Sequence, residues 1–210
     1  MAVLIVLGAQ LLIPDAVVIG SIWLLPSFQV ALLLPLVVAN PVRLSREGPY
    51  LRGLAVTSAG GVLLLNAATL VHLVLLLLAG SSLTSKGLLL TGLVLVSTNI
   101  VAASVVLWEL DRGGPFARDP AHGRHEGKPD LLFPQMGLTS DPATDPATDP
   151  DPPWIPAFLD YLFVGFTMST AFSPTDTLPL THRAKAVFMI GASVAIATFV
   201  IVAARAANIL

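Results

Sequence analysis

The stretch FTMSTAFSPTDTLPLTHRAKA, Phe166 to Ala186, decides how this chain is read. It sets seven hydroxyl residues, two aromatics, two prolines and one acid between two apolar segments. The segment that leads into it, Ala157 to Phe172, has 16 residues. That is short for a bilayer crossing, which needs about 20, and long enough for a helix that dips in and returns. The segment that follows, from about Leu180 to Asn208, is long enough to cross. Irregular backbone at membrane depth is tolerated only where protein covers it or where it lines a wet cavity.

Working outward, the rest of the chain calls for a membrane. It has 210 residues, of which 55% are hydrophobic and only 11% charged, with mean hydropathy +0.83. Soluble domains carry about 25% charged residues, so this surface is too apolar for water. No charge interrupts the 33 residues from Gly53 to Ser85, the 22 from Gly87 to Trp108 or the 19 from Ala186 to Ala204. The expected fold is an all-α integral membrane protein: about five hydrophobic helices plus a short re-entrant helix before the last one. A net charge of −2 points away from a nucleic-acid partner. With no cysteine there is no disulfide, no thiolate metal site and no cysteine nucleophile. Eight arginines against three lysines, in a background rich in Ala, Leu and Val, suggest a GC-rich bacterium.

Ala2 to Ile13 is an apolar run of 12 residues, about 18 Å as a helix against a hydrocarbon core of about 30 Å. No basic residue precedes it and no small-x-small cleavage site follows, so it reads as a partial or truncated helix rather than a signal peptide. A second span is expected between Ile22 and Ala39, kinked at Pro35. Leu54 to Ala79 and Gly87 to Trp108 make a helical hairpin around GSSLTSK. Asn66 lies 17 residues before Leu83, the middle of that turn, and Asn99 lies 16 after it. The two amides are expected at one depth, bonded across the hairpin, an interaction of about 0.6 kcal/mol. The functional alternative is an intramembrane polar site that includes His72. Gly60 and Gly61 are expected to admit a neighbouring helix closely.

Asp111 to Pro153 is a different material, with four basic and eight acidic residues, many prolines and the tandem DPATDPATDPDPP. It reads as an extended, mobile spacer. Within it His122, His125 and Glu126 have a spacing that could hold a metal on a helix, but flanking glycines disfavour a helix, so no metal site and no cofactor are expected. The regions are thus 1–110, transmembrane helices; 111–155, a Pro/Asp-rich flexible linker; and 156–210, a re-entrant helix plus a final transmembrane helix. Trp154 and Tyr161 suit interfacial anchors, and Asp160 in the first turn of its helix suits the positive end of the dipole.

FLDYLFVGFTMSTAFSPTDTLPLTHRAKA resembles the pore segment of two-transmembrane-helix potassium channels. The resemblance matches Thr167 and Thr170 to the pore-helix threonines and Asp176 to the acid after the filter. It also matches Pro179, Thr181 and Arg183 to the turn into the inner helix, and Gly191 to a hinge glycine. The C-terminal unit, about 55 residues, also resembles that of multi-pass bacterial membrane proteins without an assigned function. What the resemblance implies is a homo-oligomer, a tetramer if the analogy is complete, that passes monovalent cations. The filter departs from the pattern: Ala171, Phe172, Ser173, Pro174 and Thr175 supply no glycine for a carbonyl ladder. The candidate pore-like residues are therefore Thr167, Thr170, Ser173, Thr175 and Asp176, lining a weakly selective or closed path. The competing reading is a non-conducting accessory or scaffold protein in which Asp176 caps the last helix. Ser169, Ser173, His182, Asp160 and Asp176 form no catalytic spacing, and no enzyme is expected. The connection Pro41 to Gly53 carries Arg43, Arg46 and Arg52, against one lysine in Gly80 to Lys86. The positive-inside bias puts the former in the cytoplasm, so a re-entrant segment would enter from that side of a bacterial inner membrane, with Arg183 and Lys185 cytoplasmic. If Ala157 to Phe172 instead crosses fully, those two lie outside and the C-terminus inside.

Overall fold

A computed structural model describes residues 49–80, 83–118, 128–137 and 154–207, with the isolated positions Gly8 and Val17. The two expected N-terminal segments, Ala2 to Ile13 and Ile22 to Ala39, lie outside the described residues. So do His122, His125, Glu126 and the DPAT repeat. Among the described residues, three helices are long and apolar enough to cross a membrane.

Helix α1 (Pro49–Leu78) and helix α2 (Ser85–Leu110) form the expected antiparallel hairpin. Thr84 starts α2 with an extended backbone and a hydroxyl that accepts from the Gly87 amide at 3.2 Å, satisfying one of the free N–H groups of the first turn. Both helices are apolar nearly all round, the pattern of an element with apolar surroundings on every side. After α2 the chain turns through Arg112, Gly113 and Gly114, all with positive φ. The two glycines adopt that conformation freely and Arg112 does so at a cost. A one-turn helix α3 (Pro115–Arg118), a two-residue strand β1 (Leu131–Leu132) and a 3₁₀ turn at Pro134–Gly137 follow among the described residues. Helix α4 (Phe158–Ala171), strand β2 (Leu178–Pro179) and helix α5 (His182–Ala207) complete the order. The strands pair antiparallel, Leu131 with Pro179 and Leu132 with Leu178, and the Leu180 amide extends the ladder by donating to the Asp130 carbonyl at 2.8 Å.

Helix α2 is the centre, packed by α1, α4 and α5. Three glycines set how closely the helices approach. At Gly165 on α4 a Cβ would meet Ser104 Oγ and lie 2.8 Å from the Ile100 carbonyl, both on α2. At Gly92 on α2 it would lie 2.8 Å from Val202 on α5, and at Gly191 on α5 it would lie 2.5 Å from Met168 on α4. Each helix of this triangle thus gives up a side chain to one neighbour. Gly60, expected to serve this way, meets nothing within 4 Å, because its side of α1 faces away from the other described helices.

The segment expected to be a structureless spacer is in part a packed element. Asp111, Arg118, Asp130, Leu131 and Phe133 are all buried. Phe133 stacks edge-on against Tyr161 at 5.3 Å and tilted against Trp154 at 5.4 Å. Its composition is indeed poor in apolar residues overall, but Leu131, Leu132 and Phe133 suffice to dock it on the end of the bundle.

Candidate functional site: a polar lock and a returning stretch

The end of the bundle where α2 stops holds three buried carboxylates, Glu109, Asp111 and Asp130, and the last two organise the contacts there. Asp111 is fully buried. Its Oδ2 accepts from the Tyr161 hydroxyl at 2.7 Å, and its Oδ1 accepts from the amides of Asp130 at 2.8 Å and Leu131 at 3.4 Å. Arg118 lies 4.0 Å from Oδ2, donates to the carbonyls of Trp108 and Asp111, and rests over the Tyr161 ring at 5.1 Å. Burial lowers the Arg118 pKa, opposed by nearby Tyr161, Asp111 and Glu109. Asp130 is held at both oxygens by Arg183, at 2.7 and 2.6 Å, a paired geometry stronger than a single contact. The Thr181 hydroxyl adds a third donor at 2.5 Å. Burial would raise the Asp130 pKa, but the hydrogen bonds from Arg183 and Thr181 outweigh it and hold the carboxyl below its ordinary value.

This lock fixes the direction of two helices. Tyr161, early in α4, and Arg183, early in α5, both sit at the end where α2 finishes. Deeper in the bundle the Asn99 side-chain amide donates to Gly191 O on α5 at 2.9 Å and to Ser169 Oγ on α4 at 3.4 Å. Ser169 is eight residues past Tyr161, and Gly191 eight past Arg183, about 12 Å in each case. Two anchors at one end and two at a common depth make α4 and α5 parallel to each other and antiparallel to α2. The chain between them must therefore double back. Helix α4, with 14 residues, descends about 21 Å. Residues Phe172 to Thr177, bent at Phe172–Ser173 and again at Asp176–Thr177, lead back to the lock, where Leu178 pairs with Leu132.

Helix α4 ends at Phe172 in the left-handed conformation (φ 56°, ψ 21°), usually a glycine position. The Phe172 ring packs edge-on against Phe199 of α5 at 5.9 Å. Beyond it, Ser173 to Asp176 are exposed, and their main chain makes no hydrogen bond to a described residue. Thr167 Oγ1 donates to the carbonyls of Phe163 and Val164, and Thr170 Oγ1 to that of Phe166. Asp176 Oδ1 accepts from the hydroxyls of Thr175 at 3.0 Å and Thr177 at 3.4 Å. Asp176 does not cap the last helix. That place belongs to Thr181, whose Oγ1 accepts from the Ala184 amide at 3.3 Å. Of the pore-like residues, Ser173, Thr175 and Asp176 line the returning stretch, whereas Thr167 and Thr170 spend their hydroxyls on their own helix.

Asn66 and Asn99 do lie at neighbouring levels but do not bond to each other. Asn66 pairs with Thr98, donating at 3.0 Å and accepting at 3.2 Å. Asn99, one position on, is turned by the helix about 100° away toward α4 and α5. His72 makes no hydrogen bond with either. Gly191 serves close packing against Met168 and Asn99. Asp111, Asp130, Arg118 and Tyr161 were not foreseen as a cluster. Their signals in the sequence are an acid ending a charge-free helix and an apolar LLF inside a Pro/Asp-rich tract. No protein-family model, curated protein or solved structure matches this chain.

Proposed function

We propose that the protein is a multi-pass membrane protein of the bacterial inner membrane. Helix α4 re-enters from the cytoplasmic side, and copies assemble with their returning stretches around a shared polar axis. The observation that carries this reading is the bare main chain of Ser173 to Asp176 on the bundle surface beside an apolar helix. In lipid each unsatisfied backbone group costs several kcal/mol, so that strand needs a second copy or water over it. Helix α4 aims the negative end of its dipole at the same place. A path lined by hydroxyls and Asp176 favours cations over anions. Without a glycine-built carbonyl ladder it discriminates poorly between potassium and sodium.

A second reading, a non-conducting scaffold, draws on the hydroxyls of Thr167 and Thr170, which are already spent on helix carbonyls. Flux into liposomes of purified protein separates the two. The conducting reading expects cation flux that falls in Asp176→Asn and rises in Phe172→Gly. Liposomes that stay tight to both ions with wild type and both variants refute it.

A further inference from the structure

A cleft of about 400 Å³ opens between the start of α4, the returning stretch and the docked segment after β1. Its walls are apolar at Phe133, Leu159 and Phe163, and polar at Gln135, Asp160, Asp176 and Thr177. No basic residue lines it. Asp160 spends Oδ2 on the Ala157 amide at 2.7 Å, the bond that starts α4. Asp176 spends Oδ1 on two neighbouring hydroxyls. The other oxygen of each carboxylate has no donor among the described residues, and neither acid forms an ion pair with one. The Gln135 side-chain oxygen is buried without a donor as well. This is unlike the lock about Asp111 and Asp130, where every acid faces an arginine.

Two uncompensated carboxylates beside aromatic and aliphatic walls call for one kind of occupant. We propose that the cleft binds an ammonium group carried on an apolar body, the charge between Asp160 and Asp176 and the body along Leu159, Phe133 and Phe163. A small inorganic cation would leave the apolar walls unused, and an anion would meet two like charges. The volume lies within the range of small-molecule sites, about 300–1,000 Å³, and aromatic faces attract cations. The ammonium can come from a free amine or from an ethanolamine headgroup, since the cleft adjoins the exposed apolar stripe Leu159, Phe163 and Phe166. The inference goes beyond conduction and does not require it: binding is read whether or not an ion moves.

The test uses the full chain in neutral maltoside micelles, titrated with hexylammonium, hexanol and hexanoate, which share one apolar body and differ in charge. Calorimetry, with the fluorescence of Trp154 beside Phe133 as a second readout, should give saturable binding for hexylammonium alone. Asp160→Asn and Asp176→Asn should each weaken it about fivefold, the loss of one charge at contact in a wet site. The double variant should abolish saturation with unchanged melting; asparagine keeps an acceptor for the Ala157 amide. Nanodiscs of phosphatidylethanolamine that compete with hexylammonium, where phosphatidylglycerol does not, would assign the lipid source; equal binding in both would assign the free amine. Hexylammonium binding that is absent, or unchanged in the double variant, or matched by hexanol, overturns the proposal.

Discussion

Replacing Asp111 should do more damage than any other single change at the end of the bundle where α2 stops. Its carboxylate takes three hydrogen bonds, from Tyr161, Asp130 and Leu131, and faces the buried guanidinium of Arg118. Asp111→Ala strands the tyrosine hydroxyl, two main-chain amides and one charge in a buried site. Removing one partner of a buried ion pair costs about 3–5 kcal/mol. Asp111→Asn keeps an acceptor for the two amides, lets the tyrosine hydroxyl turn to accept, and loses only the charge; about 1–3 kcal/mol is expected. Tyr161→Phe removes one hydrogen bond to a charged group, about 1.5–3 kcal/mol. Because the two side chains touch, their effects should overlap, with a coupling of about 0.5–3 kcal/mol in a double-mutant cycle. Unfolding in mixed neutral-detergent and dodecyl sulfate micelles gives the four free energies. An Asp111→Ala variant within 1 kcal/mol of wild type (about the cost of losing a single surface contact), or strict additivity with Tyr161→Phe, would refute the claim that the lock is one cooperative unit.

Two further outcomes follow from the same contacts. Gly165→Ala should cost about 1–3 kcal/mol by overpacking against Ser104 and Ile100, with part of the loss recovered by Ser104→Ala in the same unfolding assay. Asp130 has a folded pKa below its unfolded value, so it contributes stability that is complete above the ordinary carboxylate value of about 3.9. That stability is lost as pH falls through the lower folded value. Melting temperatures measured between neutral pH and acid should show this step in wild type and lose it in Asp130→Asn.

The helical hairpin was legible in the sequence because charge-free length alone dictates a crossing helix. The doubling back after α4 was legible for a related reason, since a 16-residue apolar run followed by prolines and hydroxyls is too short for a full crossing helix and is broken at its end. Side-chain partners were less accessible. Equal spacing from a turn sets the depth of Asn66 and Asn99, but not the azimuth, and one residue of rotation gave Asn66 to Thr98 and Asn99 to the two C-terminal helices. The docked part of the linker was hidden by its composition. Asp111 and Asp130 look like solvated charges until Arg118, seven residues beyond Asp111, and Tyr161 and Arg183, distant in sequence, are brought against them. The close approaches at Gly92, Gly165 and Gly191 depend on which helix faces which, and that is a property of the assembled bundle.

The re-entrant architecture requires α4 and α5 to start from the same side of the membrane. The chain contains no cysteine, so single cysteines can be placed at the exposed positions Ala157, Lys185 and Lys86 without altering anything else. Labelling with a membrane-impermeant maleimide in oriented vesicles should modify Ala157→Cys and Lys185→Cys from one side, the cytoplasmic one, and Lys86→Cys from the other. Ala157→Cys and Lys185→Cys labelled from opposite sides would mean that α4 crosses the bilayer, and would contradict the re-entrant architecture and the proposed function built on it.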